Sequence, residues 1–256
     1  MNEGIAFIIS NTEDRKNRSV FEDLCKKSSF LAMKYLNLPC AILTLDGKTS
    51  VKSDYCIDGS EYINQHIPEG ENLKDIHGLI IAEILKTYIH EWSPFEKTIY
   101  IDCDAFVMNA SAKDYLNVLD MGYELSMATC ASMAWKDSIA DTSVRGGIFG
   151  DIPKCFPYWN FGIFGSSKKS GKILELIRSE FLDYCFKGWS QFGSCPHAQP
   201  AVVRAAYKLS PDHRIFTMPT RYNAHFSGAG GYAFSGAPVV LHFWKDIRSM
   251  MLREII

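Results

Sequence analysis

"TIYIDCDAFVM", residues 98–108, is the stretch on which the reading of the fold turns. An apolar and aromatic run delivers Asp102 and Asp104, two positions apart, onto one side of an extended chain. Two carboxylates there are costly unless they meet a cation or are solvated in a cleft. In an open α/β sheet the carboxyl ends of the strands are where ligands bind. Oxygen donors of this kind suit Mg²⁺ or Mn²⁺ shared with a substrate diphosphate. D-x-D by itself is a common pattern, and two solvated aspartates at a strand–loop junction are the plain alternative.

Upstream, the apolar run 4–9 reads as a buried strand ending in the polar loop 10–17. Near-helical spacing of Val20, Phe21, Leu24, Phe30, Leu31 and Tyr35 follows, then short strands at 41–45 and 54–57. "LIIAEILKTYIHEW" (79–92) is long enough for a helix and stops before Pro94. Downstream, Ser111 and Asp114 resemble a capping box for a short helix through about Met121, and "ELSMATC" (124–130) reads as a strand. Residues 134–158 have little periodicity and several Gly and Pro, the mark of a long functional loop. A strand at 160–165, a helix at 171–186, a helix from about Pro200, the strand "PVVLHF" and a closing helix at 245–256 complete the chain. Strand–helix alternation of this kind implies a mostly parallel sheet with helices on its faces.

The chain has 256 residues, 47% hydrophobic and 22% charged, which excludes a disordered or collagen-like protein. Lys and Arg total 27 against 29 for Asp and Glu, a net charge of −2. That balance argues against nucleic acid as a partner, yet admits a small diphosphate whose charge a metal ion meets. The eight cysteines are scattered with no CxxC pair, and the opening "MNEGIAFIIS" lacks a basic n-region. These features imply reduced thiols and a cytoplasmic protein. No run approaches a transmembrane span. Apolar residues in "IRSMMLREII" leave core packing, an oligomer contact or peripheral membrane contact open.

"TIYIDCDAFV" resembles the DxD strand of nucleotide-sugar glycosyltransferases of the GT-A fold, especially glycogenin-like and bacterial α-galactosyltransferase-like members. Four further segments follow in that family's order: "YWNFGIFG" (158–165), "AQPAVVRAAY" (198–207), "MPTRYNAHF" (218–226) and "VVLHFWKD" (239–246). The resemblance spans nearly the whole chain. It implies a single-domain α/β protein with a Rossmann-like mixed central sheet flanked by helices. In it residues 1–108 form a nucleotide-binding half, and 109–256 an acceptor-side half carrying a metal-ligand histidine. It also implies that Asp102, Asp104 and His242 hold Mn²⁺ or Mg²⁺. Ser10 and Asn11 would line the nucleobase pocket, and Lys86 and Lys245 would bind the donor diphosphate. Asn160 and Gln199 would lie close to the transferred sugar, with Lys245 stabilising the leaving group. The implied reaction moves a sugar from a nucleoside-diphosphate sugar, a UDP-sugar by analogy, to a hydroxyl acceptor with retention of configuration.

Two departures stand out. Ala198 occupies the place of an aspartate that commonly precedes the glutamine, with His197 before it. Phe243 and Trp244 stand between His242 and Lys245 where glycogenin-like enzymes have glycines. A GT-A-like module that binds a nucleotide-sugar or carbohydrate without turnover is therefore the alternative. The glycine-rich stretch 226–237 reads as a mobile cover or a turn region, and Asp141 and Asp151 as acceptor contacts or solvated loop carboxylates. "YIDCDAF" also resembles the D-x-D-A-F of lesion-bypass polymerases, but it stands about a hundred residues in and no S-x-D-E follows. Dehalogenase-type phosphatases, a Cys195–His197 nucleophile and a zinc site lack their accompanying residues.

Overall fold

The computed structural model describes residues 2–10, 18–67, 76, 78–129, 152, 156–186, 198–212, 214–226 and 236–243. Asn11, Asp141, Asp151, His197, Lys245, most of the 134–158 loop, the glycine-rich segment 227–235 and the expected closing helix lie outside them.

The first half follows the alternation read from the sequence. Strand β1 (Glu3–Ile9) leads to helix α1 (Arg18–Leu36), then β2 (Cys40–Thr44), β3 (Tyr55–Asp58) and the short helix α2 (Ser60–Asn64). The 79–92 segment forms two helices instead of one, α3 (Gly78–Lys86) and α4 (Ile89–Trp92). The Thr87 hydroxyl donates to the Ile84 carbonyl at 2.6 Å, competing with the helix ladder where the chain breaks. Strand β4 (Lys97–Ile101) follows and ends at Asp102.

Here the chain does something the sequence pattern does not show. Instead of staying extended, it turns through Cys103 and Asp104, the Ala105 N–H donating to the Asp102 carbonyl at 2.9 Å. It re-emerges as β5 (Ala105–Val107) in a different sheet. The two aspartates are neighbours because of this turn, not because they share one face of a strand.

Next come α5 (Asp114–Asn117), β6 (Leu125–Thr129), β7 (Trp159–Ser167) and α6 (Gly171–Phe186). A 3-10 turn, Ala110–Lys113, leads into α5 and is capped by Asn109, whose side chain accepts from the Ser111 N–H, so Ser111 is not the cap expected. Helix α7 (Gln199–Leu209), β8 (Ile215–Met218), β9 (Ala224–Phe226) and β10 (Val240–Phe243) complete the described chain.

Seven strands form a sheet in the order β3-β2-β1-β4-β7-β6-β8, with β7 antiparallel to both its neighbours and the other pairs parallel. A smaller sheet runs β5-β10-β9. Alternate residues of the central strands feed separate cores. Ala6, Ile8 and Tyr100 face α3, α6 and α7, while Ile5, Phe7, Ile99 and Ile101 face α1 and the small sheet. The buried Ser28 hydroxyl of α1 bonds the Ala105 carbonyl, tying the small sheet to that helix. Among the described residues no helix is long and apolar enough to cross a membrane.

Candidate functional site

The two sheets meet where β4 ends, and there the structure brings Asp102, Asp104 and His242 together. One ligand atom from each lies within 4.8 Å of the others. Main-chain pairing sets this up. Asp102 N–H donates to the Gly162 carbonyl on β7 at 2.7 Å, while the Phe243 N–H donates to the Asp104 carbonyl at 3.1 Å. His242 pairs in register with Ala105, directly beside Asp104. The His242 Nε2 lies 3.3 Å from Asp104 Oδ1 and 3.7 Å from Asp102 Oδ2.

His242 is aimed by a buried neighbour: Asn223 Oδ1 is 3.0 Å from its Nδ1. That acceptor holds the proton on Nδ1 and turns the Nε2 lone pair toward both carboxylates. A lone pair facing two carboxylates is unfavourable unless a cation lies between them. Cis ligands of a small octahedral divalent ion stand about 3 Å apart, which these separations approach. The residues therefore fit a divalent ion. Gly162 supplies the room: a Cβ there would lie 2.2 Å from His242 Cε1, 2.7 Å from Asp102 Oδ2 and 2.9 Å from Asn160 Oδ1.

Asp102 is held from the other side. Its Oδ1 accepts from the Tyr100 hydroxyl at 2.6 Å and lies 3.0 Å from Lys86 Nζ, which donates to Oδ2 at 3.4 Å. Lys86 lies in the interior and not on the helix surface. It is 2% exposed, with Glu83 Oε1 at 3.0 Å and the Tyr100 and Phe161 rings on its flanks. Burial alone would weaken its hold on the proton, but Asp102 and Glu83 outweigh it and keep the ammonium charged well above its usual range. Burial, and then Asp102, push the Tyr100 phenol well up, so it remains a donor.

The remaining expected residues divide. Asn160 is buried beside the cluster, its Oδ1 accepting the Gly162 N–H at 2.7 Å. Gln199 begins α7, and its Oε1 accepts from the Tyr158 hydroxyl at 3.1 Å. Ser10 follows β1 at the carboxyl edge of the sheet that Asp102 also occupies. Asn11 and Lys245 lie outside the described residues. Sequence reasoning missed Glu83, Tyr100, Gly162 and Asn223. Two of these carried a signal: Glu83 and Lys86 are i and i+3 on one helix, and Tyr100 and Asp102 share one side of β4.

This sheet order, with the acidic cluster at the carboxyl end of the central strand β4, is that of the GT-A fold. Mouse xyloside xylosyltransferase 1 in its apo form matches at a TM-score of 0.59 and 10% identity, over 94% of this chain and 97% of that one. The galactosyltransferase LgtC, in complex with donor and acceptor sugar analogs, matches at 0.58 and 10% identity, over 96% and 88%. An active-site mutant of LgtC matches at 0.58 and 11% identity, over the same shares. No protein-family model and no curated protein matches the sequence. At these identities the likeness is one of fold.

Proposed function

We propose that this protein is a metal-dependent glycosyltransferase that moves a hexosyl group from a nucleoside-diphosphate sugar, with UDP as the nucleotide, to a hydroxyl acceptor. The observation that carries the proposal is the convergence of Asp102, Asp104 and His242 where the two sheets meet, on a fold shared with sugar-transferring enzymes. A divalent ion, Mn²⁺ or Mg²⁺, held there would act as a Lewis acid on the diphosphate leaving group.

The chain's own residues prepare that site. Asn223 fixes the tautomer of His242, and Tyr100 on one oxygen of Asp102, with Lys86 near both, holds that carboxylate beside the cluster. The charge of Lys86 is already met by two carboxylates, so it acts on the donor through Asp102. Lys245 would meet the diphosphate, Ser10 and Asn11 the base, and Asn160 and Gln199 the sugar. In the transfer, the bond from sugar C1 to the diphosphate oxygen breaks and one from C1 to the acceptor oxygen forms on the same face. The acceptor's proton leaves with the diphosphate. Residues 1–108 hold the nucleotide and residues 109–256 the acceptor, in a cytoplasmic setting.

The absence of a carboxylate at the buried Ala198 favours the second reading, binding without turnover. A thermal-shift series with nucleoside diphosphates, with and without Mn²⁺, tests the site. Mn²⁺-dependent stabilisation by one nucleotide, lost in Asp104→Ala, is the expected result. Unchanged stabilisation in that variant sinks the assignment. Release of UDP from a UDP-sugar separates an enzyme from a binding module.

A further inference from the structure

Lys86 is an unexpected neighbour for a metal centre. Its ammonium is 2% exposed and lies 3.0 Å from Asp102 Oδ1 and 3.4 Å from Oδ2. A buried cation so close to a carboxylate that would ligate a divalent ion competes with that ion for the same negative charge. The Tyr100 and Phe161 rings stand 5.2 and 5.7 Å from Nζ, so side chains and not bulk water must balance the ammonium.

Glu83, three residues before Lys86 on α3, supplies that balance. Its Oε1 is 3.0 Å from Lys86 Nζ, and the residue is 4% exposed. Its Oε2 is buried with no hydrogen-bond partner among the described residues. A dry carboxylate oxygen without a partner is costly, so hydrogen bonding alone does not account for this residue and its charge must. Burial pushes the Glu83 carboxyl up, and Lys86, the first opposing influence, pulls it back. The ammonium is thereby divided between two carboxylates. Asp102, Asp104 and Glu83 against Lys86 give these four groups a charge of −2 (1 − 3), with His242 neutral, which a divalent ion cancels. Without Glu83 the same ion would leave a buried surplus of positive charge, and Lys86 would have Asp102 as its one remaining counter-ion among these groups.

We propose that Glu83 is a positioning residue for the metal site: by sharing the Lys86 ammonium with Asp102, it leaves Asp102 enough negative charge to ligate a divalent ion. The inference rests on the metal-binding part of the proposed function and needs neither the nucleotide nor the sugar assigned there.

Isothermal titration of the full chain with Mn²⁺ at pH 7.5 tests this. Glu83→Gln removes the charge and keeps the shape, while Glu83→Ala removes both. Each leaves Lys86 paired with Asp102, so no buried charge is stranded. Both should bind Mn²⁺ about 10–100-fold more weakly, the scale for residues that support a metal ligand. Adding Lys86→Met to either removes the competing ammonium and leaves Tyr100 on Asp102, so each double variant should bind Mn²⁺ more tightly than its single parent. Urea unfolding shows which variants are folded, and either single variant with its double suffices. Wild-type affinity in the single variants overturns the proposal. A double variant no tighter than its parent also overturns it, because a merely structural role makes the losses add. Asp104→Ala separates the two readings. If it loses Mn²⁺ while the Glu83 variants keep it, the proposal alone fails. If it binds like the wild type, or the wild type does not bind, the metal site fails and the proposal with it.

Discussion

Replacing Gly162 by alanine tests the site with one methyl group. The backbone there is not in the left-handed region, so the substitution introduces no φ strain and acts through space alone. Its Cβ would stand 2.2 Å from His242 Cε1, whereas carbon atoms rest at about 3.5–4.0 Å. The imidazole must therefore retreat by more than about 1 Å, or β7 must move away from β4. Retreat of Asp102 Oδ2, 2.7 Å from the same Cβ, is resisted by Tyr100 on the other carboxylate oxygen and by Lys86, which contacts both. His242 in turn is held by Asn223. Overpacking of this kind costs about 1–3 kcal/mol of stability, which a domain of this size survives. The effect on the ion is larger, because losing the orientation of a ligand costs about 10–100-fold in affinity and losing the ligand costs more. Isothermal titration with Mn²⁺ measures this. The control is Gly4→Ala, whose Cβ would meet the Phe95 ring at 2.2 Å at the other end of the sheet. That variant should lose stability and keep its Mn²⁺ affinity. Wild-type Mn²⁺ affinity in Gly162→Ala would refute the claim that these three side chains bind the ion together.

Two further outcomes follow from the buried network. Asn223→Leu removes the acceptor that orients His242 and should weaken Mn²⁺ binding by about 10–100-fold, whereas Asn223→Asp should restore it. Titration of both variants checks this, and equal affinities would mean that Asn223 does not set the tautomer. Lys86→Met leaves Glu83 without its counter-ion and should cost about 3–5 kcal/mol in urea unfolding. Because the folded-state pKa of Lys86 lies above the ordinary 10.5, this contribution is fully present below that pH and is lost only as pH rises through the folded value. Wild-type stability at neutral pH in Lys86→Met would contradict the pairing.

Much of the first half was legible because short-range physics settles it. The apolar runs became β1, β2 and β4, and the segment 160–165 became the core of β7. The residues that would hold the metal ion were also nameable from order along the chain. What the sequence alone could not show is why they meet. Asp102 and Asp104 are a strand end and a turn, His242 arrives from a strand 138 positions beyond Asp104 (242 − 104), and they converge because β10 pairs with β5 in a second sheet. Such pairing is non-local, and no periodicity in 98–108 announces that the chain is about to change sheets. The same holds for Lys86 and Asp102. Helical spacing puts Glu83 beside Lys86, but only the fold brings that pair to the end of β4. Composition and local pattern determined the elements and the chemistry they carry. Tertiary packing decided which charges are buried together, because the cost of burying a charge depends on the neighbours that the fold, not the segment, supplies.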